Sequence, residues 1–125
     1  MRNAFQEELD SIHDTLVKMG RIVEESMAAA THALLEPNLE IAEKVIKDDD
    51  TIDDMQHELD ARTMMIIARQ SPVAGDLRTL VTSLRMSADL ERMGDMAHHI
   101  AKLARMRYPN CAVPEEIKEI IVQMD

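Results

Sequence analysis

The sequence predicts an all-α protein, an antiparallel three-helix bundle followed by the start of a fourth helix, and three observations lead there. Apolar residues recur at alternating steps of three and four rather than at every second position. Aromatic residues are nearly absent, with one Tyr, one Phe and no Trp in 125 residues, while Met, Ala, Leu and Ile abound. That composition favours helices over a sandwich or barrel. The prolines, Pro37, Pro72, Pro109 and Pro114, fall where the periodic stretches break.

In the first helix Phe5, Leu9, Ile12, Leu16, Met19, Val23, Ser26, Ala30 and Ala33 form a heptad seam,. Gly20 interrupts it at modest cost, and Pro37 disfavours helix at Glu36, so the helix ends there. A tight turn leads to a second helix from about Leu39 to Gln70, whose stripe holds Ala42, Val45, Ile52, Gln56 and Leu59. Ser71-Pro72 supplies a stop and an N-cap, with Pro at the first position of a third helix that reaches about Arg107. Tyr108 to Pro114 reads as a linker, and Pro114-Glu115-Glu116 as a fresh helix start with acidic residues in its first turn. The implied division is a bundle over 1–108, a linker over 109–114 and the opening helix of a further unit over 115–125. Asp125 falls in mid-pattern, so a longer parent protein is expected.

The formal net charge of −10 argues against a nucleic-acid partner, which relies on clustered Lys and Arg. It suits cations or basic protein surfaces. Cys111 stands alone, so no internal disulfide framework exists, which fits a cytoplasmic protein,. No apolar run approaches bilayer-spanning length, so any membrane association is peripheral.

The third helix carries the chemistry. Leu77, Leu80, Val81, Leu84 and Ala88 share one face, and at about 100° per residue that face continues through Glu91, Asp95, His98 and His99,. Glu91 and Asp95 stand one turn apart, able to reach one cation or to bridge two. Asp49 and Asp53 repeat the spacing on the stripe of the second helix. Carboxylates on a packed face need a cation, basic side chains or water, so the candidate metal ligands are Asp49, Asp53, Glu91 and Asp95. The plainer alternative is neutralisation by Arg62, Arg78, Arg92 or Lys102. Asp54 with His57 and Asp95 with His98 imitate the three-residue offset of di-iron ligand motifs, but Asp54 points away from the Asp49 stripe, which disfavours a ferritin-like oxidase. Gly94, between Glu91 and Asp95, implies close approach of another helix or an ion. No nucleophile stands beside a base and no Gly-rich phosphate loop is present, so the chain reads as no enzyme. A second stripe, Met86, Leu90, Met93, Met96, Ile100 and Leu103, lies roughly opposite the first. One of the two stripes should form the bundle core and the other a contact surface, which makes a homodimer the simplest expectation.

Three blocks carry a family resemblance: Asp49-Asp50-Thr51-Ile52-Asp53, Arg69-Gln70-Ser71-Pro72-Val73-Ala74-Gly75-Asp76-Leu77-Arg78, and Leu90-Glu91-Arg92-Met93-Gly94-Asp95 with Ile100-Ala101. Here the sequence resembles the PhoU family of phosphate-signalling proteins over essentially its whole length. The resemblance implies two similar three-helix bundles, each with Glu/Asp-x-x-x-Asp motifs that bind metal clusters. Asp49 with Asp53 and Glu91 with Asp95 match those motifs, and this chain corresponds to one repeat plus the first helix of the next. The implied cofactor is a divalent or trivalent cation, iron, zinc, manganese or magnesium. The implied role is negative regulation of phosphate uptake and of the phosphate-starvation response, through the ATPase subunit of a phosphate transporter and a sensor histidine kinase. A metal-dependent helical-bundle enzyme and a purely structural adaptor are the alternatives.

Overall fold

The computed structural model describes residues 4–110 and 114–124. It is all-helical: α1 (Ala4–Leu35), α2 (Leu39–Gln70), α3 (Ala74–Arg107) and a short α4 (Glu115–Met124). The first three pack against one another. Cys111, Ala112 and Val113 of the expected linker, and the terminal Asp125, lie outside the described residues.

The α1 seam is buried as its periodicity requires, with Ile12, Leu16, Met19, Val23, Ser26, Ala30 and Ala33 inside. Pro37 closes α1, and Asn38 then opens α2 by accepting a hydrogen bond from the Ile41 N–H at 3.1 Å, satisfying one of the donors that every helix start leaves free. Arg62, late in α2, donates to Ser11 Oγ at 2.6 Å and Thr15 Oγ1 at 3.2 Å, early in α1. This contact joins opposite ends of consecutive helices, as a three-residue connection favours.

Two sequence expectations need correction. Ser71 is the C-cap of α2 in the left-handed conformation, φ 42°, and the N-cap of α3 is Val73, without a side-chain cap. Pro72 stands before the helix because Ser71 is already committed to closing α2. The second concerns α3, where neither bulky stripe is the core face. The buried residues are Leu80, which alone of the first stripe is fully buried, and Ser83, Ser87, Gly94, Ala97, Ala101 and Ala104, a line of small side chains running between the two stripes. Leu77, Val81, Met86, Met93, Met96 and Leu103 are all exposed. Small residues let α3 settle close to α1 and α2, so proximity rather than side-chain bulk sets its orientation.

The core falls into two apolar clusters. One is built from Ile12, Leu16, Met19, Val23, Ile52, Leu59, Ile66 and Leu80; the other from Ala30, Ala33, Ala42, Val45, Ala97, Ala101 and Ala104. Along α1 the boundary falls at Ser26, along α2 at Asp49 and along α3 near Gly94. Each helix breaks its apolar run at the same place.

Candidate metal centre

Asp49 occupies a core position of α2 and is only 6% exposed. Its Oδ2 accepts a hydrogen bond from His98 Nδ1 at 2.8 Å, and its buried Oδ1 has no hydrogen-bond partner. One turn later Asp53 reaches Glu91 of α3, and the two carboxyl groups share a hydrogen bond. Gly94 permits this meeting. A Cβ there would stand 2.9 Å from Ile52 Cδ1 and 3.6 Å from Asp49 Oδ1, so the glycine marks close helix approach, with the carboxylate oxygen at the edge of the gap.

The electrostatics follow from crowding. Asp53 is pushed above its usual carboxyl range, first by burial and then by the Asp49 charge. Glu91 is raised by burial, by the hydrogen bond to Asp53, and by the charges of Asp53, Asp95 and Asp49. His57 offsets the rise at Asp53 only in part, so carboxylates that raise one another are left under-compensated by positive charge. Among the described residues no Lys or Arg forms an ion pair with any of the four. Arg92 turns to Asp89 at 3.5 Å and Arg62 to the α1 hydroxyls, so neither supplies the neutralisation considered from the sequence.

Asp49, Asp53 and Glu91 are thus brought together between α2 and α3. Asp95 lies at the margin, its side chain half exposed and 3.5 Å from His99 Nδ1, although its charge still bears on Glu91. Among the described residues no three His, Cys, Asp or Glu side chains stand ready around one point as a formed cation cage. The donor set nevertheless fits a hard cation, being all carboxylate oxygen, mutually repelling, and including one unpartnered buried oxygen,. Asp54 and His57 are exposed, and His57 Nδ1 donates to its own helix at Asp53 O, 2.8 Å away, so the di-iron offset pairs do not converge.

Sequence reasoning placed His98 beside Asp95 on one helix face and missed its bond to Asp49. The signal available was the small-residue line of α3, which rotates His98 toward α2. A separate apolar groove of about 410 Å³ lies between the first halves of α1 and α3, with Leu16, Val17 and Met86 in its wall and Arg78 at its rim, away from the carboxylates. Among the described residues no helix is long and apolar enough to cross a membrane.

The profile of the PhoU domain matches residues 16–104, a span that contains all four carboxylates. Similar curated proteins include phosphate-specific transport system accessory protein PhoU homolog 2 of Mycobacterium bovis, 40% identical over 124 residues that cover 99% of this chain and 58% of that protein. PhoU homolog 1 of Mycobacterium leprae is 39% identical over 117 residues, 94% of this chain and 53% of that protein. The PhoU homolog of Aquifex aeolicus is 43% identical over 97 residues, 78% and 44% respectively. The chain spans about half the length of these relatives.

Proposed function

Since the chain belongs to the PhoU family, we propose that it acts as an accessory regulator of phosphate transport: a metal-binding adaptor, without enzymatic activity, built on an antiparallel three-helix bundle. In this reading it restrains phosphate uptake and the phosphate-starvation response from the cytoplasm. It does so by contacting the ATPase subunit of a phosphate transporter and a sensor histidine kinase. Residues 1–108 form the regulatory bundle, 109–114 a linker, and 115–125 the opening of a second repeat.

The observation that supports the metal reading is the meeting of Asp49, Asp53 and Glu91 with, among the described residues, no Lys or Arg paired to them and only His98 bonded to Asp49. Asp49, Asp53 and Glu91, with Asp95 swinging in from the margin, would hold the cation. Its positive charge would relieve their mutual repulsion and fasten α2 to α3. Carboxylate oxygens accept iron, manganese, zinc and magnesium with overlapping preference. Leu77, Val81, Met93, Met96 and Leu103 leave α3 with apolar surface on both sides of its buried line. That surface supports contact with a second copy or with the regulated partners.

The test is metal content and metal-linked stability. Protein purified without chelator should carry metal in elemental analysis. Adding cation at about a hundred times its dissociation constant should stabilise the fold by about 2.7 kcal/mol, and Glu91→Ala should abolish the gain while helicity is retained. No bound metal, and melting unchanged by iron, manganese, zinc and magnesium, refutes the cation site and leaves the structural adaptor. Hydrolysis of phosphate esters that disappears with Glu91→Ala would instead establish the enzyme.

A further inference from the structure

Among the described residues, where His57 and His99 are exposed, His98 is the basic side chain that meets the site carboxylates from a mostly buried position. It comes from α3, four residues beyond Gly94, and its side chain is 16% exposed against 8% for that of Asp49. The contact is short, 2.8 Å from Nδ1 to Asp49 Oδ2. A carboxylate oxygen can only accept, so Nδ1 carries the hydrogen. Asp49 could otherwise rotate about its side-chain bonds, and its two oxygens would be equivalent. The His98 bond removes that freedom, committing Oδ2 to α3 and leaving Oδ1 buried, without a partner, beside Gly94.

Geometry of this kind is how a ligand is held ready before its cation arrives. A carboxylate that must first be oriented gives up part of its binding energy to that ordering, whereas one already fixed does not. Asp53 and Glu91 bond to each other, and among the described residues neither has a hydrogen bond from a basic side chain like that of Asp49. Asp49 is therefore the fixed member around which the other two adjust.

We infer that His98 is a positioning residue for the cation site, holding Asp49 through Nδ1 so that Oδ1 is presented toward Asp53 and Glu91. This rests on the metal reading proposed above. His98 acts through Asp49 and need not itself touch the ion.

Two substitutions separate the possibilities. His98→Phe keeps a ring of similar size and removes the donor. His98→Asn keeps a donor at nearly the position of Nδ1 and removes Nε2. Affinity for Mn²⁺, Zn²⁺ and anaerobic Fe²⁺, each alone, is measured by titration calorimetry on the metal-free chain, with urea unfolding of every variant in chelator alongside. The expected result is a loss of about 10- to 100-fold in affinity for His98→Phe and near-native affinity for His98→Asn. Native affinity in His98→Phe overturns the inference. Equal loss in both variants also overturns it, because Nε2 would then matter rather than the bond to Asp49. If the Phe variant does not fold, His98→Asn decides alone, and weakened binding there sinks the proposal. A native chain that binds none of the three ions brings down the metal reading itself, an outcome distinct from the others.

Discussion

Adding a single methyl group at Gly94 tests the close approach of α2 and α3. Gly94→Ala would place a Cβ 2.9 Å from Ile52 Cδ1 and 3.5 Å from Ile52 Cγ2. Ile52 is fully buried, at 0% exposure, so its branched side chain has no solvent into which to retreat. Two effects oppose each other. Replacing Gly by Ala inside a helix stabilises by about 1 kcal/mol, whereas forcing a methyl into a packed contact costs about 1–3 kcal/mol. The net expectation is a destabilisation of about 0–2 kcal/mol. Gly20 is the internal control, because a Cβ there meets nothing within 4 Å, and Gly20→Ala should show the helix gain alone. The difference between the two substitutions, about 1–3 kcal/mol, isolates the steric contribution. Urea unfolding monitored by helical circular dichroism in chelator measures both. If Gly94→Ala stabilises as much as Gly20→Ala, the helices do not meet at Gly94 and the argument for a carboxylate site beside it fails.

Two further outcomes follow from the same geometry. Asp53 and Glu91 have folded pKa values above their ordinary 3.8 and 4.5, so above those values the folded metal-free chain holds more protons than the unfolded chain. Their contribution is therefore most favourable below that window and is lost as pH rises through the raised values. Asp53→Asn with Glu91→Gln should stabilise the metal-free chain at neutral pH and give a smaller gain in mild acid, a contrast read by thermal melts in chelator. A gain independent of pH would contradict the crowding of these carboxylates. The exposed Met93 and Met96 should lie in the interface if the chain dimerises. Light scattering is then expected to give a dimer mass that Met93→Glu reduces to monomer, and a native monomer at micromolar concentration refutes the dimer.

Periodicity revealed α1 because its buried positions are also its large apolar ones, from Ile12 to Val23, and their spacing stays regular through Ser26 to Ala33. In α2 the same reading placed Asp49 on the core stripe, where the structure buries it as a polar misfit. It failed for α3, where hydrophobicity and burial part company. Bulk sits at Met86, Met93 and Met96, which are exposed, while Ser83, Ser87 and Ala97 are inside. A pattern of apolar side chains records transfer free energy, whereas a close helix contact is specified by small side chains that contribute little of it. Reading Ser83, Ser87, Gly94, Ala97, Ala101 and Ala104 as a face of their own would have oriented α3, and with it His98. The pairing of His98 with Asp49 joins residues 49 positions apart, and no local spacing encodes that distance.

The boundary between the two apolar clusters is where stability is given up. Ser26 Oγ and Asp49 Oδ1 are both buried without hydrogen-bond partners, and each such atom costs about 1–3 kcal/mol of lost hydration. The His98 bond compensates only one oxygen of Asp49. An apolar side chain at that position would join the clusters into one core, and replacing a buried charged pair by well-packed apolar residues is often neutral or stabilising by about 1–4 kcal/mol. A fold that needed only to hold three helices together would gain from the exchange. The arrangement present is costly in the way a binding site is costly, with polar groups held dry and incompletely satisfied where Gly94 lets two helices close on them. A cation between Asp49, Asp53 and Glu91 would turn that cost into attachment of α2 to α3, linking the stability of the bundle to occupancy of the site.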